Sequence, residues 1–258
     1  MINFKEKTVF ITGASSGIGE ACAHRFAQEG ARLLLCARRK NRMDSVASEL
    51  KNKYDSELYT FELDVRNREK TSEMLENLPD QWKKIDILVN NAGLARGLTK
   101  LHEGLIDDWE EMIDTNMKGL LYISRKVIPW MVKRGCGDII NIGSIAGHEV
   151  YPNGNVYCAT KHAVDALTRG MRIDLLGTPL RVATVDPGMV NTEFSQVRFH
   201  GDKERADEVY EGLQPLRGED IADAVFYCAS RPEHVQIAEI IIYPTAQRSA
   251  TLAHREKQ

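Results

Sequence analysis

The stretch that most limits the possible folds is Thr12-Gly13-Ala14-Ser15-Ser16-Gly17-Ile18-Gly19. It lies between an apolar run, Thr8-Val9-Phe10-Ile11, and an alanine-rich helical pattern that reaches Gln28. A strand that turns at once into a helix needs glycine where side chains are forbidden. Gly13 meets the turn dihedral, Gly17 lets backbone approach a bound group, and Gly19 lets the helix pack closely on the strand. The free N–H groups and dipole of the new helix then face an anion such as a pyrophosphate, with Ser15, Ser16 and Ile18 beside it. A tightly packed strand-to-helix joint is the plainer reading, and the Gly-x-x-x-Gly-x-Gly spacing differs from the common G-x-G-x-x-G. The rest of the chain decides between them.

Strand and helix patterns go on alternating, which predicts an α/β fold with a parallel sheet. Arg32-Leu33-Leu34-Leu35-Cys36-Ala37 is a short apolar run of the kind that fills a strand covered on both faces. An acid at the end of this second strand would accept from the 2′-hydroxyl of NAD. Here Ala37 is followed by Arg38-Arg39-Lys40, and two guanidiniums suit a doubly anionic 2′-phosphate. NADP is therefore the expected cofactor, against the alternative of a solvated basic loop. A helix over 41–53 leads to a third strand, 58–63, ending in Asp64-Val65; Asp64 suits both a wall of the adenine pocket and a helix N-cap. A helix over 67–78 and a strand over 85–89 lead into Asn90-Asn91-Ala92-Gly93. The small and amide side chains of Asn91, Ala92 and Gly93 leave room for a flat ring, though the same residues also make a turn.

A long helical pattern, 105–130, is interrupted only by Gly119 and carries Asn116 in its middle. Asparagine is poor in a helix interior, so Asn116 reads locally as a packing contact. A fifth strand, 138–143, delivers Ser144 at its C-terminal tip, where ligands meet open α/β sheets. Tyr157-Cys158-Ala159-Thr160-Lys161 follows in a helical pattern that extends to Leu176. Residues four apart share a helix face, so Tyr157 and Lys161 point the same way. A cation within about 4 to 6 Å lowers a phenol's pKa, which predicts that Lys161 makes Tyr157 a usable acid or base near neutral pH. Ser144 would hold a substrate oxygen while Tyr157 exchanges its proton. A sixth strand, 181–186, opens into Pro187-Gly188-Met189-Val190-Asn191-Thr192, where Pro187, Gly188 and Val190 border the expected nicotinamide and Thr192 would donate to its carboxamide or to a phosphate. The segment from about 188 to 216 reads as a mobile substrate loop. In it Arg198 is either a partner for a substrate carboxylate or a solvated lid charge. A helix over 220–230 and a strand over 236–243 complete the sheet.

With 258 residues, 43% of them hydrophobic, the chain is expected to form one domain over residues 1–258. A net charge of −3 gives no footprint for nucleic acid, and no apolar run approaches the roughly 18 residues that a membrane span needs. Five widely spaced cysteines fit reduced thiols in a cytoplasmic protein and have no zinc-ligand spacing, so no metal is expected. The expected partners are a small-molecule substrate and other copies of the chain.

Taken together, Thr12 to Gly19, Asn90 to Gly93, Asn116, Ser144, Tyr157 to Lys161 and Pro187-Gly188 make the chain resemble the short-chain dehydrogenase/reductase family over essentially its full length. The resemblance implies a Rossmann-like, doubly wound parallel sheet of about seven strands in three αβα layers. It implies a homotetramer, and a catalytic tetrad of Asn116, Ser144, Tyr157 and Lys161 in which the asparagine holds a proton-relaying water. Asp114 to Leu120, Asn141 to Gly147, Tyr151 to Tyr157, Thr192 to Asp202 and Pro244 to Gln247 are similar to the NADP-dependent 3-hydroxy acid dehydrogenases, which act on L-allo-threonine, serine and related acids or on malonic semialdehyde. Arg96 departs from the aliphatic residue usual there, and His148-Glu149 is expected to put ionisable groups beside the substrate wall. The alternatives are a carbonyl reductase of larger ketones or diols, and a non-catalytic NADP-sensing scaffold.

Overall fold

The computed structural model describes residues 3–256 of the chain. Seven parallel strands form one sheet: β1 (Thr8–Thr12), β2 (Arg32–Ala37), β3 (Leu58–Glu62), β4 (Ile87–Asn90), β5 (Gly137–Ile142), β6 (Leu180–Pro187) and β7 (Glu239–Ile242). Their spatial order is β3-β2-β1-β4-β5-β6-β7. β1 pairs with β2 on one side and β4 on the other, so the winding reverses there and a crevice opens beyond the carboxyl ends of those strands.

The helices follow from the alternation along each strand. Val9 and Ile11 of β1 point to one face, with Leu33 and Leu35 of β2. There they meet Cys22 and Phe26 of α1 (Gly17–Gln28), Met43 and Val46 of α2 (Lys40–Tyr54), and Ile221 and Val225 of a helix at Gly218–Ala229. Phe10 and Leu34 point to the other face, where Leu75 of α3 (Arg68–Glu76) covers them together with Ile123, Val127 and Met131. Both faces are covered, which is why the strands read as apolar runs rather than as alternating polar and apolar residues. Each fully buried Leu, Ile or Phe contributes roughly 1.5–3 kcal/mol of transfer free energy.

Three elements differ from the sequence reading in ways that shape the crevice. The expected helix over 105–130 is α4 (Ile106–Ile113), a wider π turn over Asp114–Gly119, and α5 (Leu120–Arg134). Single π turns break the ordinary hydrogen-bond ladder and are frequent at functional sites. A Cβ on Gly119 would stand 2.6 Å from Cγ2 of Val65, so glycine lets this turn close on the end of β3. After α6 (Asn155–Asp174), the expected loop contains two short helices, α7 (Phe194–Arg198) and α8 (Lys203–Glu208). The last helix, α9 at Gly218–Ala229, starts earlier than expected because Asp220 accepts from the Arg217 N–H at 2.7 Å and caps it. Among the described residues, no helix is long and apolar enough to cross a membrane.

Candidate active site

Gly13 and Gly17 have φ of +68° and +58°, which only glycine adopts freely. A Cβ on Gly19 would lie 2.4 Å from Asn91 Nδ2 and 2.5 Å from the Gly13 carbonyl oxygen, so its close packing is literal. Asn91 Nδ2 donates to the carbonyls of Thr12 (2.9 Å) and Gly13 (3.2 Å), while Thr12 Oγ1 accepts from the N–H groups of Asn91 and Ala92. The Asn-Asn-Ala-Gly turn thus stitches β4 to the glycine turn. Ser16 precedes α1 without capping it through its side chain, which leaves the first N–H groups of the helix for an anion.

The crevice in front of α1 measures about 610 Å³. Gly13, Ser15, Ser16, Gly17, Ile18, Arg38, Arg39, Asp64, Val65, Asn91, Ala92 and Gly93 line one part of it. Ser144, Tyr157, Lys161, Pro187, Gly188, Val190, Thr192 and Arg198 line the other. Gly19 packs beneath the turn and Asn116 behind Gly93, so neither belongs to its surface.

At the basic end, every guanidinium has a carboxylate partner. Arg39 donates to Ser16 Oγ at 2.7 Å and to Glu193 at 2.9 Å, and Arg42 also pairs with Glu193. Arg38 contacts Glu111 at 3.2 Å. Glu111 also takes Arg66 at 3.2 Å and Arg96 at 2.6 Å, and Arg66 clasps Asp64 at 2.6 Å. The hydrogen bond from Arg42 holds the Glu193 carboxyl below the usual carboxylate range. Burial works to raise the Asp64 carboxyl, but the bonds from Arg66 outweigh it and leave it low. Arg42, Glu111 and Glu193 had no role at the site in the sequence reading. Arg42 had a signal, standing one helical turn after Arg39; its partner Glu193 lies 151 positions away.

At the other end the groups are buried. Lys161 Nζ donates to the Ile142 carbonyl at 2.9 Å and lies 5.9 Å from the centroid of the Tyr157 ring. Ser144 Oγ accepts from the Ala146 N–H at 3.1 Å, and the Ser144 N–H donates to Asp186 at 3.0 Å. Asn116 Nδ2 donates to the Leu94 carbonyl (2.8 Å) and to Thr160 Oγ1 (3.0 Å), while its Oδ1 accepts from the Leu94 N–H. A Cβ on Gly93 would come 3.3 Å from Asn116 Oδ1 and 3.7 Å from Lys161 Nζ, so both groups gather behind that glycine.

The electrostatics correct one expectation. Burial pushes the Tyr157 phenol up, Tyr151 adds to this, and the opposing effects of Arg198 and Ser144 do not compensate. Burial brings the Lys161 ammonium down to about 8. Tyr157 therefore keeps its proton at neutral pH instead of being made acidic by its neighbour, because desolvation under α7 and the Tyr151 loop outweighs an ammonium turned toward Ile142.

Arg198 is no free lid charge. Its guanidinium carbon sits 5.1 Å from the Tyr157 ring centroid, Nη2 donates to the Tyr151 hydroxyl at 2.7 Å, and its Nε is buried without a hydrogen-bond partner. Arg96 reaches the crevice wall, yet its donors go to Glu111 and the Val197 carbonyl. His148 and Glu149 do not line the crevice: His148 turns toward Asp186 on β6 and Glu239 on β7, and Glu149 accepts from the Ala250 N–H at 2.9 Å. Gln247 was missed as well. It accepts from the Met189 N–H at 2.9 Å, and a Cβ on Gly188 would strike it at 2.4 Å, so the C-terminal segment locks the strand exit.

Known proteins carry the same plan. The NADP-dependent 3-hydroxy acid dehydrogenase YdfG of Salmonella typhi is 47% identical over 249 residues, covering 96% of this chain and 99% of that one. An NADP-dependent 3-hydroxy acid dehydrogenase of Schizosaccharomyces pombe is 43% identical, covering 97% of each. The closed form of serine dehydrogenase complexed with NADP+ superposes with a TM-score of 0.90 at 45% identity, covering 97% of this chain and 100% of that one. The family model for short chain dehydrogenases matches residues 7–203. With that match and a seven-stranded sheet whose crevice opens at the β1/β4 reversal, the chain belongs to the short-chain dehydrogenase family.

Proposed function

We propose that the chain is an NADP-dependent oxidoreductase that transfers a hydride between NADP(H) and a small 3-hydroxy acid or the matching carbonyl acid, such as L-allo-threonine, serine or 3-hydroxypropionate/malonic semialdehyde. The observation that carries the reading is the guanidinium of Arg198 beside the Tyr157 ring, with an unpartnered buried Nε. A substrate carboxylate would satisfy that donor while its hydroxyl lies toward Ser144 and Tyr157. The names of the relatives support the same substrate class.

The residues fit the cofactor. The uncapped start of α1, with Gly13, Ser15, Ser16, Gly17 and Ile18, suits the pyrophosphate, and Gly19 keeps the helix close beneath it. Arg38 and Arg39 suit the 2′-phosphate, Asp64 and Val65 the adenine, and Asn91 to Gly93 with Pro187, Gly188, Val190 and Thr192 the nicotinamide side. The nicotinamide, when bound, supplies or accepts the hydride. In reduction, Ser144 orients the substrate oxygen and Tyr157, protonated at neutral pH, gives it a proton. Lys161, titrating near 8, returns a proton toward the tyrosine, with Asn116 holding the backbone beside it. In oxidation the same protons move outward.

In this reading residues 1–258 act as one unit with a substrate lid at about 188–216, and the enzyme works in the cytoplasm as a homotetramer. Exposed apolar side chains on α5 (Leu121, Val132) and α6 (Ile173) offer surface for self-association. A coupled assay following nicotinamide absorbance over a panel of 3-hydroxy acids, amino alcohols and ketones tests the proposal. Turnover with NADP and short 3-hydroxy acids is the expected result. Turnover confined to bulky ketones or diols, or tight NADPH binding without turnover, refutes it.

A further inference from the structure

Behind the Ser144 turn, three ionisable side chains converge from segments far apart in the chain: His148, Asp186 on β6, and Glu239, the first residue of β7. His148 Nε2 lies 3.5 Å from Asp186 Oδ2 and 3.4 Å from Glu239 Oε1. Asp186 is 1% exposed, and its Oδ1 already accepts from the Ser144 N–H and from Thr184 Oγ1, each at 3.0 Å. Its Oδ2 and the Nε2 of His148 are both buried and have no hydrogen-bond partner among the described residues. Two orphaned polar atoms facing each other require an explanation, and a bound ion is one of the ordinary ones.

Both gaps lie within ion-pair range, yet they also suit a bound ion. A charge-assisted N–H···O bond closes to roughly 2.7–2.9 Å, shorter than either gap. A tetrahedral ion with bonds of about 2.0–2.2 Å holds its ligand atoms roughly 3.3–3.5 Å apart, which matches both. One imidazole and two carboxylates are nitrogen and oxygen donors suited to a zinc-type cation. We propose that His148, Asp186 and Glu239 form a binding site for a divalent transition-metal ion of the zinc type. The ion takes three protein ligands, and the partly exposed His148 and Glu239 leave its remaining position to water. Bound at Asp186 Oδ2, it leaves Oδ1 to the Ser144 N–H and so braces the serine turn from behind. The fit there is tight, since a Cβ on Gly143 would come 1.7 Å from Asp186 Oδ1. The ion is a positioning element and takes no part in the hydride step.

A second cluster, Glu20, His24 and Glu49, is more exposed and contributes no orphaned buried atom, so it serves as the internal control. The test is equilibrium dialysis of chelator-stripped protein against micromolar zinc, followed by elemental analysis. The expected result is about one zinc per chain, with affinity at least ~10-fold weaker in His148→Ala and in Glu239→Gln and unchanged in His24→Ala. Each variant is first matched to the wild type by circular dichroism, and Glu239→Gln, the more exposed position, serves if His148→Ala fails to fold. Failure to retain zinc, as expected if His148 bridges the carboxylates as an imidazolium, overturns the proposal, and so does zinc that survives both substitutions. The measurement does not depend on turnover or cofactor choice.

Discussion

The two ends of the crevice solve different electrostatic problems. At the basic end, Arg38, Arg39 and Arg42 are 43–51% exposed, and each is matched by a carboxylate at the rim. At the catalytic end, Tyr157, Lys161 and Ser144 are 8% exposed or less, with few polar partners. Solvent screens the first set, so its charges share their work and each is partly replaceable. Desolvation governs the second, so each group there has one task and no substitute. Proton transfer belongs where water is excluded, and phosphate recognition where a charged ligand must enter and leave.

The sharpest way to break this contrast is Tyr157→Phe, which removes the group assigned to exchange a proton directly with the substrate oxygen. kcat should fall by about 10²–10⁴ with NADPH binding retained, and undiminished turnover in a stopped assay would end the assignment. At the basic end, replacing Arg38 and Arg39 together by alanine should raise the KM for NADP by about 10- to 100-fold and the KM for NAD far less. Equal losses would show that the pair does not read the 2′-phosphate. Third comes the ammonium. Its pKa in the folded chain, about 8, is below the ordinary 10.5, so between those values the unfolded chain binds more protons. Its contribution to stability is therefore full above 10.5 and lost as pH falls through about 8. Reduction should lose rate as pH rises through the same value, a limb that Lys161→Arg moves upward by at least about one unit, since guanidinium stays charged. A profile unchanged by that substitution would contradict the role. The smallest effect is expected from Arg96→Leu. Arg96 ties Glu111 to the Val197 carbonyl, while the neighbouring Gly97 N–H donates to the Arg198 carbonyl at 2.9 Å. Its loss should loosen α7 and raise the substrate KM about 2- to 5-fold with kcat nearly unchanged, as expected when a mostly buried positioning residue away from the reacting atoms is removed.

Local rules made part of this legible. Gly13 was readable because a backbone angle demands it; Gly17, read instead for close approach of a bound group, also has a positive φ. The strands were readable because both faces of the sheet are covered, and Arg38 and Arg39 because they sit where the second strand must end. What sequence could not convey was the surroundings of a side chain. The π turn around Asn116 arises where a helix meets Val65 of a distant strand end. The upward shift of Tyr157 comes from burial, to which the Phe194 ring at 5.6 Å contributes, and from Tyr151, neighbours that only folding brings together. His148 looked like a wall residue because its position follows Ser144 closely, yet its ring turns to the opposite side of the turn.

Glu193 lies in the segment proposed to cover the substrate and already occupies Arg39 and Arg42. In the proposed cofactor mode a phosphate at Arg39 displaces that carboxylate instead of neutralising a bare cation. Breaking the existing carboxylate pairs offsets part of the attraction, so the phosphate gains less at these guanidiniums than it would at bare cations. The displaced arm is freed at that same moment, which ties occupancy of the adenosine end to the freedom of the segment covering the reacting carbon.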